Sequence, residues 1–137
     1  MKISILLPYK ENFSPIYAGA VSLFIKDTTK ISKYKKNITV YGNTDLKNIY
    51  KLNYKNINLK KNIIQSGSKL YVNEFLKHEE IDPSDLIEIH NRPNYFHLIH
   101  KKKKKQKLIL YFHNDPLTMT GSRSVTDRKM LLNSVFP

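Results

Sequence analysis

Apolar residues recur along this chain with two different spacings. Short runs rich in β-branched residues stand at 2–7 (KISILL), 38–42 (ITVYG), 86–90 (LIEIH) and 107–112 (KLILYF). Each is closed by a polar turn: Pro8, Gly42-Asn43, Asn91-Arg92-Pro93 and His113-Asn114-Asp115-Pro116. Such runs predict buried strands. Between them the period lengthens to that of a helix. Over 17–34, Ala20 and Val21, Phe24 and Ile25, Thr28 and Ile31 fall on one helical face. Over 66–79 the same holds for Leu70, Tyr71, Val72, Phe75 and Leu76, with Ser66 or Ser68 as the N-cap. A third helix is predicted from Pro93, a residue suited to the first helical position, to about Lys102. A fourth begins near Ser124, where Ser124-Val125-Thr126-Asp127 has the form of a capping box. The Asn- and Lys-rich segment 44–65 is weakly patterned and offers one strand near 57–59.

Strands that alternate with helices in this way predict an α/β fold, a Rossmann-like and mainly parallel sheet flanked by helices. The 137 residues suit a single domain. In an open parallel sheet the ligand crevice lies beyond the carboxyl ends of the strands. Pro8-Tyr9-Lys10-Glu11, Asn43-Thr44-Asp45, His90-Asn91-Arg92 and His113-Asn114-Asp115 each follow a strand, so the topology would gather them on one rim.

Composition narrows the chemistry. The chain has no cysteine, which removes disulfides, thiolate metal sites and cysteine nucleophiles. No window approaches the roughly 18 apolar residues of a membrane span, and the first apolar run is too short for a signal peptide. A net charge of +13 favours polyanionic partners, whether nucleic acid, anionic lipid or a phosphorylated substrate. Only three of the 24 cationic residues are arginine (Arg92, Arg123 and Arg128), and a codon bias toward A and T would itself enrich lysine. Nucleic-acid readers lean on arginine forks, so the scarcity of arginine weighs against that partner.

The order KISILLP, a Pro-containing loop, AGAVS entering a long helix, ITVYGN, SDLIEIHNRP and LILYFHND resembles the N-terminal, acceptor-side domain of the retaining family 4 glycosyltransferases. Within that family it is most similar to the bacterial lipopolysaccharide and capsule enzymes, which have the two-domain GT-B fold. Ala18-Gly19 stands where the family often has Gly-Gly, and the acidic residue that often follows is absent. Asp85-Leu86-Ile87-Glu88-Ile89-His90 matches a D-x-I-x-x-H segment, and Phe112-His113 matches an aromatic-His pair. The resemblance runs from residue 2 to about 135. It implies that the donor-binding domain lies beyond Pro137, that the sheet here is incomplete at its C-terminal side, and that the chain alone should not catalyse transfer.

The resemblance implies a catalytic-site role for His113 beside the reacting sugar, where an imidazole can hydrogen-bond a hydroxyl or exchange a proton near neutrality. A histidine that merely caps strand-end carbonyls is the plainer alternative. Gly19, with Lys10 in the loop below it, would let a donor phosphate approach the free N–H groups of a helix end, or would simply make a tight turn. His90, Asn91, Arg92 and Asn114 are assigned to the acceptor side. For His90 the alternative is a structural hydrogen bond, and for Asn91-Arg92 a helix start with an incidental cation. Glu11 and Arg123 are weaker candidates. His97 and His100 have metal-binding spacing without a third ligand, so no metal is expected. The run Lys101, Lys102, Lys103, Lys104 and Lys105 reads either as a solvated helix terminus or as a patch for anionic lipid headgroups. Gly121-Ser122-Arg123-Ser124 has the composition of a phosphate nest, but a loop before a capped helix accounts for it more simply.

The expectation is the N-terminal half of an enzyme that moves a hexosyl group from a nucleotide sugar (a UDP- or GDP-sugar) to a cell-envelope glycan or lipid-linked acceptor. No cofactor belongs to this half. The implied location is the cytoplasm, with peripheral contact at the inner membrane left open. An unfinished sheet would leave an edge on which two copies can pair. Two other readings stand beside it: a non-catalytic sugar- or nucleotide-binding module, and a basic protein for membrane surfaces or nucleic acid.

Overall fold

Strand β1 (Ile3–Leu6) is buried at all four residues, as the centre of a sheet covered on both faces requires. It pairs in parallel with β2 (Ile38–Gly42), where Ile3 faces Ile38, and with β4 (Leu86–His90), where Ile3 faces Leu86. β3 (Tyr54–Asn56) adds to β2 and β5 (Lys107–Tyr111) adds to β4, both in parallel, giving the order β3-β2-β1-β4-β5. The computed structural model describes residues 1–59, 66–103 and 105–135. The protein is therefore an α/β domain with a five-stranded, wholly parallel, Rossmann-like sheet.

Helix α1 (Ala20–Ile31) covers one face, packing Val21 and Ile25 against Ile3, Ile5, Ile38 and Val40. Helices α2 (Gly67–Ile81), α3 (Pro93–Lys102) and α4 (Val125–Val135) lie on the other face. There Tyr71 and Phe75, Tyr95, Phe96 and Ile99, and Leu131 enclose Leu6, Tyr41, Ile87 and Ile89. Side chains alternate along β4, so Ile87 and Ile89 enter that core while Glu88 and His90 face α1.

Local signals place most ends. Ser66 rather than Ser68 caps α2, its Oγ accepting from the Lys69 N–H at 3.4 Å. The capping box at α4 closes in both directions: Ser124 Oγ accepts from the Asp127 N–H at 3.0 Å, and the Asp127 carboxylate accepts from the Ser124 N–H at 3.3 Å.

Three boundaries differ from the pattern. α1 begins at Ala20 rather than near Tyr17, because Tyr17 takes a left-handed φ of 56° and is exposed. The third strand to be laid down sits at Tyr54–Asn56 rather than at 57–59. Tyr54 stacks on Phe13 at 5.3 Å and Asn53 hydrogen-bonds the Thr39 hydroxyl, so packing outweighs the strand propensity of Ile57. Ile57 itself turns into the core and donates its N–H to the Gly42 carbonyl. β5 ends at Tyr111, one residue before Phe112.

Near the amino ends of the strands lies a buried polar knot. The fully buried Glu79 carboxylate accepts from the Ser4 hydroxyl at 2.6 Å, and from the Ser84 N–H and hydroxyl at 3.0 and 2.8 Å. It ties α2 to β1 and to the approach to β4.

Candidate functional site

The strand order reverses between β1 and β4, and the carboxyl ends beside that reversal are where an open parallel sheet receives ligands. The chain leaves β4 through Asn91, which adopts a left-handed φ of 53° that Asn tolerates better than most residues. Its N–H donates to the Tyr111 carbonyl at 2.8 Å, and its side-chain oxygen accepts from the His113 N–H at 2.7 Å. One buried asparagine thus fastens the end of β5 to the end of β4.

That fastening brings two distant histidines into contact. His90 Nδ1 lies 2.8 Å from His113 Nε2, and His90 Nε2 lies 2.6 Å from Glu88 Oε1. His90 is fully buried, Glu88 is 21% exposed at its side chain, and His113 is half-buried at the rim. Tyr111 stacks on His90, and the Phe24 ring of α1 meets His113 edge to face at 4.9 Å. Burial lowers the His113 pKa from its ordinary 6.5, and the adjacent His90 lowers it further. Glu88 and Glu11 oppose that shift by favouring the charged imidazole.

Glu11, in the loop after β1, reaches the start of α1. Its carboxylate accepts from the Ser22 N–H at 3.2 Å, placing a negative charge at the positive end of the helix. A side chain at Gly19 would bring a Cβ within 2.0 Å of that carboxylate. The space at Gly19 is therefore occupied by the protein's own anion, in the place that the sequence reading gives to a donor phosphate.

Lys10 takes a left-handed φ of 64° and lies over the Tyr9 ring. Tyr9, Lys10, Asn12, Asn43, Asp45 and Asn58 line a polar cleft of about 580 Å³ beyond the ends of β1, β2 and β3. Two groups of rim residues thus emerge, the imidazoles beyond β4 and β5 and the amide-rich cleft beyond β1 to β3. Arg92, half-buried, donates to the carbonyl of its neighbour Asn91 at 2.8 Å, and Asn114 is exposed beside His113.

Other candidates serve the scaffold. His97 Nε2 donates to the Gly121 carbonyl at 2.9 Å, and His100 stacks on Phe96. Among the described residues no group of three metal-ligating side chains is disposed to hold a metal ion. The 121–124 segment is a lock. Gly121, at φ 94°, lies so close to α3 that a Cβ would come within 2.5 Å of the Asn94 nitrogen. Ser122 is buried and donates to the Pro116 carbonyl, while Arg123 donates to the Thr118 carbonyl. Of the lysine run, Lys103 donates to the Glu79 carbonyl at 3.1 Å and Lys102 reaches Asn73 at 3.5 Å. Lys101 and Lys105 are exposed, and Lys104 lies outside the described residues. No helix among the described residues is long and apolar enough to cross a membrane.

Sequence reasoning missed Glu88 and Phe24 as parts of this site. The usable signal for Glu88 was its i, i+2 spacing from His90 on a strand, which puts both side chains on one face. Compared with family models, curated proteins and solved structures, the chain gives no significant match.

Proposed function

We propose that this domain is the acceptor-side half of a GT-B glycosyltransferase that moves a hexosyl group from a UDP- or GDP-sugar to a cell-envelope glycan or lipid-linked acceptor. The observation that carries this reading is His113. A half-buried imidazole stands at the carboxyl rim of a parallel sheet, held by Asn91 through its backbone and by His90 through its ring. The cleft of Tyr, Asn, Asp and Lys side chains beyond β1 to β3 has the chemistry of a carbohydrate site, with amides and a carboxylate for hydroxyl groups and an aromatic ring for a sugar face. In this reading His113 hydrogen-bonds a sugar hydroxyl near the reacting centre, and Lys10 and Asp45 help to hold the acceptor. Catalysis then rests on positioning and electrostatics. Arg92 and Asn114 extend the acceptor wall, and the exposed Lys101 and Lys105 face anionic headgroups when the acceptor is lipid-linked.

Transfer is to be measured with the domain joined to its donor-binding partner domain, using radiolabelled UDP- and GDP-hexoses and envelope glycan acceptors. His113→Ala should lower kcat by about 100-fold or more; near-normal transfer would remove His113 from the mechanism. Acceptor glycans added to the domain alone should shift the NMR signals of Tyr9, Asn43 and Asp45. Glycan binding without any transfer would reassign the domain as a non-catalytic sugar-binding module.

A further inference from the structure

We infer that Glu88, His90 and His113 form a one-proton relay, in which Glu88 sets the tautomers of both imidazoles and so decides whether the outer nitrogen of His113 accepts or donates a hydrogen bond. This deepens the reading of His113 given above and rests on it for its role, though its geometry stands independently.

The deduction follows the chain of contacts. A carboxylate can only accept, so the 2.6 Å contact places the hydrogen of neutral His90 on Nε2 and leaves its Nδ1 bare. The 2.8 Å contact between imidazoles needs one donor, which must then be His113 Nε2–H. Neutral His113 is left with a bare Nδ1, and no group among the described residues bonds to it. Nδ1 is thus an acceptor, suited to the hydroxyl hydrogen of a sugar.

A single added proton inverts this. If it settles on His113 Nδ1, that nitrogen becomes a donor. If it settles instead on His90 Nδ1, the shared bond reverses, His113 Nε2 becomes the acceptor, and the His113 hydrogen moves to Nδ1. Both arrangements present the same N–H outward, a donor suited to phosphate or carboxylate oxygens. A second proton would set two donors against each other and break the pair. The groups facing the pair are Glu88 on β4, Glu11 on the loop after β1, the Tyr111 phenol on β5, and the uncharged Phe24 ring on α1. Glu88 is a positioning residue, acting through His90.

Long-range 1H–15N NMR of histidine-labelled domain reads the tautomers without any substrate. Above its titration, wild-type His113 should show the Nε2–H form. In Glu88→Gln the side-chain amide can donate as well as accept, so His113 should shift toward a mixture containing Nδ1–H. Its titration midpoint should fall by about one pH unit as the negative charge is lost. Glu88→Asp, which keeps the charge, should retain the wild-type tautomer.

A wild-type His113 in the Nδ1–H form would overturn the relay, with no variant needed. So would a Glu88→Gln protein with unchanged tautomer and midpoint. Normal transfer by His113→Ala would instead overturn the catalytic reading and leave the tautomer result standing, so the two failures are distinguishable.

Discussion

Two acidic side chains that accept hydrogen bonds below the surface lie on opposite faces of the sheet, Glu79 on the face covered by α2 and Glu88 on the face covered by α1. Glu79, at the amino side, is fully buried, and its three contacts come from one backbone amide and two serine hydroxyls. None of those donors changes charge near neutral pH. Glu88, midway along β4, is partly exposed and bonds an imidazole that itself bonds a second one. The first arrangement has a single proton configuration and serves to hold elements together. The second has two configurations that differ by one proton. The identity of the donors, more than depth of burial, separates an anchor from a site.

The largest expected effect tests the anchor. Glu79→Ala strips the acceptor from Ser4 and Ser84 in a closed interior, and urea unfolding should show a loss of about 2–4 kcal/mol. Asn91→Ala comes next. It removes the bond to the His113 N–H and leaves alanine in a left-handed conformation, costing about 1–2 kcal/mol. It should also broaden or shift the His113 ring signals. Glu88→Ala should cost about 1 kcal/mol or less, because water can reach the vacated position, while its effect on His113 titration exceeds that of Glu79→Ala. Equal stability losses for the two glutamate variants would erase the contrast between them.

Acid provides a further test. His113 binds a proton less readily when folded than its ordinary value of 6.5 implies, so the unfolded chain takes up protons first as the pH falls. The stability contributed by His113 is complete above that value and is lost as the pH drops from it to the folded midpoint. Urea midpoints across this window should decline less in His113→Asn than in wild type. The smallest effect lies in the lysine run. Lys103→Gln should cost about 0.5–1 kcal/mol, because its ammonium holds the Glu79 carbonyl, whereas Lys105→Gln should be within about 0.5 kcal/mol of neutral.

The fold was legible because its signals are local and repeated. The runs ending at Leu7, Gly42, His90 and Phe112 alternate with helical periods, and Ser66, Pro93 and Ser124 mark helix starts that the structure keeps. β3 was legible only as to its neighbourhood, since three residues with exposed or half-exposed side chains carry almost no pattern and their pairing is settled by Phe13 and Thr39 from distant parts of the chain. Of the site, the placement of His90 and His113 on a shared rim could be reasoned from topology. Their contact could not, because it depends on the backbone turn at Asn91. Glu88 was concealed by its position, where alternation along a strand makes a charged residue look like an ordinary solvent-facing one. Glu11 was concealed differently. Nothing in the sequence of the loop after β1 announces that the Glu11 carboxylate will fold back onto the start of α1.

The single asparagine after β4 has a mechanical consequence. It grips the chain after β5 at two points, the Tyr111 carbonyl and the His113 amide, so the last residues of both strands are jointed like the leaves of a hinge with its pin in place. A ligand that drew the outer imidazole toward itself would load this joint before it could displace the ring. Under the proposed function, an acceptor would therefore have to conform to the position at which His90 and Asn91 hold this ring.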